Sequence, residues 1–180
     1  MQRRSILAGL GMAAATPIML GQINAAFAQE AKASSAAEYY KGVAGPAALS
    51  KVTSEEAVTR ATNANAKEFA GFELEEAMSV GMVLREEDIP EPPMDAKSQA
   101  TFDTIQNAAD GDAFDKAYIA AQLENHEFLS DLATAYLATT SPDEDDAAEV
   151  QGRHLATLML AVFKEHVAIT KRILGELGGA

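Results

Sequence analysis

A chain of 180 residues with 27 acidic and 14 basic side chains has a formal net charge of −13 at pH 7. A surface of that sign excludes nucleic acid and anionic lipid as partners, since both need clustered Lys and Arg. The chain has no cysteine, which excludes disulfides, thiolate metal sites, a cysteine nucleophile and a lipid anchor on sulfur.

At the N-terminus Arg3-Arg4 precedes an apolar, Ala- and Gly-rich stretch from Ile6 to Leu20, followed by the small-residue triplet Ala26-Phe27-Ala28. This order predicts a cleavable signal peptide over residues 1–28; the apolar stretch is short of the roughly 20 residues that span a bilayer. The paired arginines fit twin-arginine export and equally an ordinary secretory signal. Cleavage leaves 152 residues (180 less 28) and a charge of −15 (12 basic less 27 acidic), one domain's worth of chain. The expected location is the periplasm or the exterior, with no membrane attachment after cleavage.

Residues 29–45 read as a flexible lead-in, with a helical turn at 38–41. Pro46 suits the first position of a helix, so a first main helix is expected over 46–61. Thr62-Asn63 breaks it and caps a second, 64–87, in which Ala66, Phe69, Ala70, Ala77, Val80 and Leu84 recur at helical spacing. Pro90, Pro92 and Pro93 forbid helix in the linker that follows. A short helix is expected at 96–109. Asp110-Gly111-Asp112 lacks the further carboxylates of a calcium loop and reads as a helix stop followed by an Asp cap. A third main helix covers 113–138. Ser141-Pro142-Asp143-Glu144 restarts the chain, with Asp145 and Asp146 extending an acidic first turn that the helix dipole favours. The fourth main helix, 143–177, has Leu155, Met159, Val162, His166, Ile169 and Ile173 on one stripe. Gly178-Gly179 ends it, leaving 178–180 as a tail. With no strand-period stretch, the expected fold is all-α: an antiparallel four-helix bundle over 46–177, with the short helix in the connection between the second and third main helices.

No complete catalytic motif is present. The serines lack a histidine-and-acid context, and there is no glycine-rich phosphate loop, so no catalytic residue is assigned. The groups that lean inward are Glu73, between Ala70 and Ala77; Glu76, one step round; His126, on a face with Ile119, Gln122, Leu129 and Ala133; and His166. His154 lies off the stripe, at the surface. Two readings fit. Glu73, Glu76, His126 and His166 are candidate ligands of a divalent metal held between facing helices, or they form buried histidine–glutamate pairs. The Glu-x-x-His spacing of a dinuclear carboxylate site is missing, because Leu123, Gln151 and Phe163 precede the three histidines. If the last two helices start level, His126 and His166 lie roughly 20 Å and 35 Å from their shared turn at 1.5 Å per residue, and share no ion.

The mature chain resembles an exported bacterial family catalogued as domain of unknown function 4142. Leu49-Ser50 through Ala57, Ala61-Thr62-Asn63, Lys67-Glu68-Phe69-Ala70 and Glu73 to Glu76 carry the first part of the resemblance. Ala113-Phe114-Asp115-Lys116-Ala117-Tyr118-Ile119 running on to His126 carries the second, and Lys164-Glu165-His166 the third. The resemblance implies a ferritin-like four-helix bundle. It departs at Ala77, where relatives often have Gln or His, so any ligand at that position is lost. The expected function is a non-enzymatic periplasmic protein that binds a protein or small-molecule partner in envelope stress or maintenance. The alternative is a metal-binding ferritin-like protein, and nothing in the sequence favours an enzyme.

Overall fold

The computed structural model describes residues 31–140 and 146–178. The signal peptide expected over residues 1–28, with Arg3-Arg4, the Ser141-Pro142-Asp143-Glu144 restart with Asp145, and residues 179–180 lie outside the described residues. Within them the protein is all-helical, with no strand: α1 Ala36–Arg60, α2 Ala64–Glu86, α3 Ala96–Gln106, α4 Asp112–Leu137 and α5 Ala147–Glu176. Among the described residues no helix is long and apolar enough to cross a membrane.

The helix boundaries follow local chemistry where side chains cap orphan backbone groups. The Asn63 side chain accepts from the N–H groups of Asn65 and Ala66 and starts α2. Asp95 does the same for α3 through Ser98 N–H, and Asp146 for α5 through Glu149 N–H. Gly111, at φ 89°, turns the chain into α4 in a conformation that favours glycine.

The largest departure from expectation is α1, which begins at Ala36 and carries Pro46 inside it. An interior proline costs a helix about 3 kcal/mol. The extra turns bury Tyr39, Tyr40, Val43 and Ala44, and a large apolar side chain contributes about 1.5–3 kcal/mol when fully buried. Packing outweighs the proline. Ser35 caps this earlier start, and Glu149 of α5 reinforces it by accepting from the Ala36 N–H at 2.6 Å and the Tyr136 hydroxyl at 2.8 Å.

In α5 the buried row is Gly152, Ala156, Phe163, His166, Thr170 and Ile173. Of the expected stripe, His166 and Ile173 are buried, while Leu155, Met159, Val162 and Ile169 lie half-buried on its flanks. The reason is steric. A Cβ at Gly152 would sit 2.5 Å from Ala36 Cβ and 2.9 Å from the Tyr136 hydroxyl, so the line of closest approach admits only a small residue there.

The interior is layered. One apolar cluster gathers Tyr39, Val43, Leu132, Tyr136, Ala156 and Phe163. Another gathers Ala57, Phe69, Ile105, Phe114, Ile119 and Ile173. Between these stretches of each main helix lie the buried polar residues Ser50, Thr53 and Ser54 of α1, Glu73 of α2, Gln122, Asn125 and His126 of α4, and His166 and Thr170 of α5. The short helix α3 packs on α1 and α4 and buries Ile105.

Candidate metal centre

Each of three helices sends one ligand-type side chain into this polar layer. Glu73 lies on the buried face of α2 between Ala70 and Ala77, whose small side chains leave room for the carboxylate. Gln122, His126, Leu129 and Ala133 share the buried face of α4, and His166 lies in the buried row of α5. His126 Nε2 and His166 Nδ1 are 3.1 Å apart. Glu73 Oε2 lies 3.2 Å from the first and 3.0 Å from the second.

This meeting corrects the depth estimate, which kept the two histidines apart. The two helices do not start level. Arg153 donates to Leu137 O at 2.9 Å, so the last residue of α4 stands beside the seventh of α5. The overhang of six residues is roughly 9 Å at 1.5 Å per residue. Counting inward from this pair, His126 lies 11 residues back along α4 and His166 lies 13 residues on along α5, nearly the same depth.

The three atoms form an almost equilateral triangle. Nitrogen and oxygen ligands about 2.0–2.2 Å from one ion, subtending tetrahedral to octahedral angles, lie about 2.8–3.6 Å from each other, and the observed separations fall inside that range. Glu73 Oε2 is buried and makes no hydrogen bond: neither ring nitrogen is aligned to donate to it, close as both are. His126 Nε2 and His166 Nδ1 are within hydrogen-bond distance of each other, so in neutral rings one donates to the other; with both nitrogens deprotonated, the three atoms have the spacing of a group that could hold one metal ion.

The orientation of the His126 ring is set from outside the triangle. His126 Nδ1 is 2.7 Å from Gln122 O, so in the neutral ring Nδ1–H donates to that carbonyl and Nε2 keeps its lone pair. Gln122 is held in turn, accepting from Ser50 Oγ at 3.0 Å and donating to Thr53 Oγ1 at 3.0 Å. On the far side of the His166 ring, Nε2 faces Glu76 Oε2 at 3.5 Å. A carboxylate or carbonyl on the outer nitrogen is the usual support of a metal-binding histidine. Phe69 sets its ring edge-on to His166, centroids 5.1 Å apart, and Phe163 packs 6.0 Å from His126. Both rings pack directly against the imidazoles.

Electrostatics follow the same geometry. Burial alone would raise the Glu73 carboxyl, but the imidazoles of His126 and then His166 reverse this and hold it below the ordinary carboxylate range. Burial would lower His126; Glu73 beside it overrides that and raises it. Glu76 is raised, by burial first and by the neighbouring Glu73 second.

Of the four candidate ligands, the fold therefore brings Glu73, His126 and His166 within ligating distance of one another. Glu76 stands behind His166. His154 is exposed. The supporting residues Gln122, Ser50, Thr53 and Phe163 are not marked in the sequence by any motif; their polar or aromatic side chains at helical spacing are the one signal available. No family model matches this chain, and neither a curated protein nor a solved structure matches it.

Proposed function

We propose that this protein binds one divalent first-row metal ion inside a ferritin-like, antiparallel four-helix bundle, through Glu73 Oε2, His126 Nε2 and His166 Nδ1. The observation that carries this reading is the triangle of three ligand-type atoms, 3.0–3.2 Å apart, one of them a buried carboxylate oxygen with no aligned hydrogen bond. Two imidazoles and one carboxylate with open positions are the donor set of non-haem iron(II) sites, and zinc is the natural competitor. Glu76 is the outer partner that orients His166. The reading supplements the expectation from residues 1–28, that the protein is exported and works in the periplasm or outside the cell. Twin-arginine export suits a protein that folds around its metal first.

The test is metal analysis of protein purified from the periplasm, together with calorimetric titration of the chelator-treated protein with iron(II), zinc(II) and manganese(II). One ion per chain is expected, lost in His126→Ala and in His166→Ala. Metal-free protein that takes up no ion in titration overturns the reading.

A second reading rests on a different surface. Met78 and Met82 of α2 are more than half exposed and line, with Ala44, Ala48, Ile89 and Pro90, an apolar groove of about 470 Å3. That groove supports the alternative of a non-enzymatic envelope protein that docks a partner.

A further inference from the structure

A small half-open pocket with about 20 Å3 of space touches Glu73, Glu76 and His126 but not His166, so it lies to one side of the triangle of ligand atoms. Its apolar walls include Val43, Ala47, Leu129 and Phe163. A buried water needs about 10–15 Å3 of such space, so the cavity has room for one water or one diatomic molecule.

We propose that this cavity is the exogenous-ligand position of the metal centre, and that it takes a single water or a neutral diatomic molecule of the dioxygen type and excludes larger or anionic ligands. The inference rests on the metal reading above. Three protein ligands on one face of a first-row ion leave coordination positions open, and the cavity is the space beside them.

Two features set the selectivity. The first is size. The second is charge and hydrogen bonding. Ser50, the one hydroxyl in the cavity wall, already donates to Gln122 Oε1 and accepts from Asn125 Nδ2, so it has no proton left for an anion. Glu73 and Glu76 together balance a divalent ion, and a third negative charge beside the two carboxylates would be repelled by them. An approach route suited to apolar molecules adjoins the cavity. A second cavity of about 160 Å3 shares Val43, Glu76 and Val80 with it and is otherwise walled mostly by apolar and aromatic side chains such as Tyr40, Leu84 and Met159.

The experiment loads the whole mature protein with iron(II) under anaerobic conditions, removes free iron, and adds nitric oxide or azide. Nitric oxide stands in for the neutral diatomic. The expected result is retained iron, the electron paramagnetic resonance signal of an iron–nitrosyl adduct, and no spectral change with azide. Ala47→Val, or the smaller change Val43→Ile, should keep the iron and bind nitric oxide about tenfold more weakly, because the cavity is then overfilled. Retained iron with no nitrosyl signal, azide binding comparable to nitric oxide, or a filled variant that keeps its iron and binds nitric oxide as before would each overturn the proposal while leaving the metal reading intact. Failure to retain iron overturns this proposal, and failure to take up iron(II), zinc(II) and manganese(II) alike overturns the metal reading as well.

Discussion

At the scale of single residues, Glu73 and Glu76 divide the work that their three-residue spacing suggests they share. Glu73 Oε2 meets both imidazoles, whereas Glu76 reaches only the outer nitrogen of His166. Glu73→Gln should therefore abolish measurable metal binding, and Glu76→Gln should weaken it by roughly 10–100-fold, as loss of an outer partner does. Competition with a chromophoric chelator measures both, and equal losses would remove the distinction. The same residues make the metal-free protein pH-sensitive. Glu73 is held below its unfolded value, so its contribution is present above about pH 4.3 and is lost as pH falls through the folded value. His126 is raised above its unfolded value, so its contribution is complete below about pH 6.5 and is lost as pH rises through the folded value. Urea midpoints of the metal-free protein should peak between those limits. Metal binding releases protons, so added metal should move the peak to higher pH. A midpoint that stays flat from mildly acidic to mildly alkaline pH in the metal-free protein would show that the pair contributes nothing.

At the scale of elements, the junction of α1 and α2 is held from a third helix. The buried Asp115 carboxylate of α4 accepts from Thr62 N–H at 3.1 Å, Thr62 Oγ1 at 2.7 Å and Asn63 N–H at 2.8 Å. It thereby sets where α2 begins, and so the height at which Glu73 enters the interior. Asp115→Ala strands these donors and should cost about 1.5–3 kcal/mol, the range for hydrogen bonds to a charged group. Urea unfolding with an unchanged m-value checks it, and a loss below about 0.5 kcal/mol, the scale of an ordinary surface change, would contradict the role. Arg60 closes the same end from the other side. It donates to Ala108 O at 2.8 Å and to Asp110 at 2.8 Å, with its guanidinium over the Phe114 ring.

For the whole molecule, the proposed metal site and the fold form one equilibrium. Its three ligands come from α2, α4 and α5, separated by 53 and 40 residues of chain, so no preformed site exists in the unfolded state. Metal at a hundredfold excess over its dissociation constant should raise the unfolding free energy by about 2.7 kcal/mol. For a domain of this size that is a rise in Tm of about 5–10 °C, reversed by a chelator. Calorimetric scans that superimpose with and without bound metal would mean that the ion also binds the unfolded chain.

Much of this protein is local and legible in the sequence. The all-helical class follows from helical spacing without strand alternation. The break at Thr62-Asn63 and the linker at Pro90, Pro92 and Pro93 follow from side-chain capping and from proline's missing N–H. The inward lean of Glu73 and His126 follows from their apolar neighbours three and four residues away. The start of α1 was not legible, because the burial of Tyr39 and Tyr40 against distant helices overrides the local preference of Pro46 for a helix start. Nor was the meeting of His126 with His166. The relative height of α4 and α5 depends on how Tyr136 packs against Gly152, where Glu149 reaches Ala36, and how far α5 overhangs the end of α4. Those contacts join residues from 13 to 113 positions apart. Periodicity places a side chain on a face of its own helix, but its level against a neighbouring helix is decided by the sum of such contacts, which exists only in the folded chain.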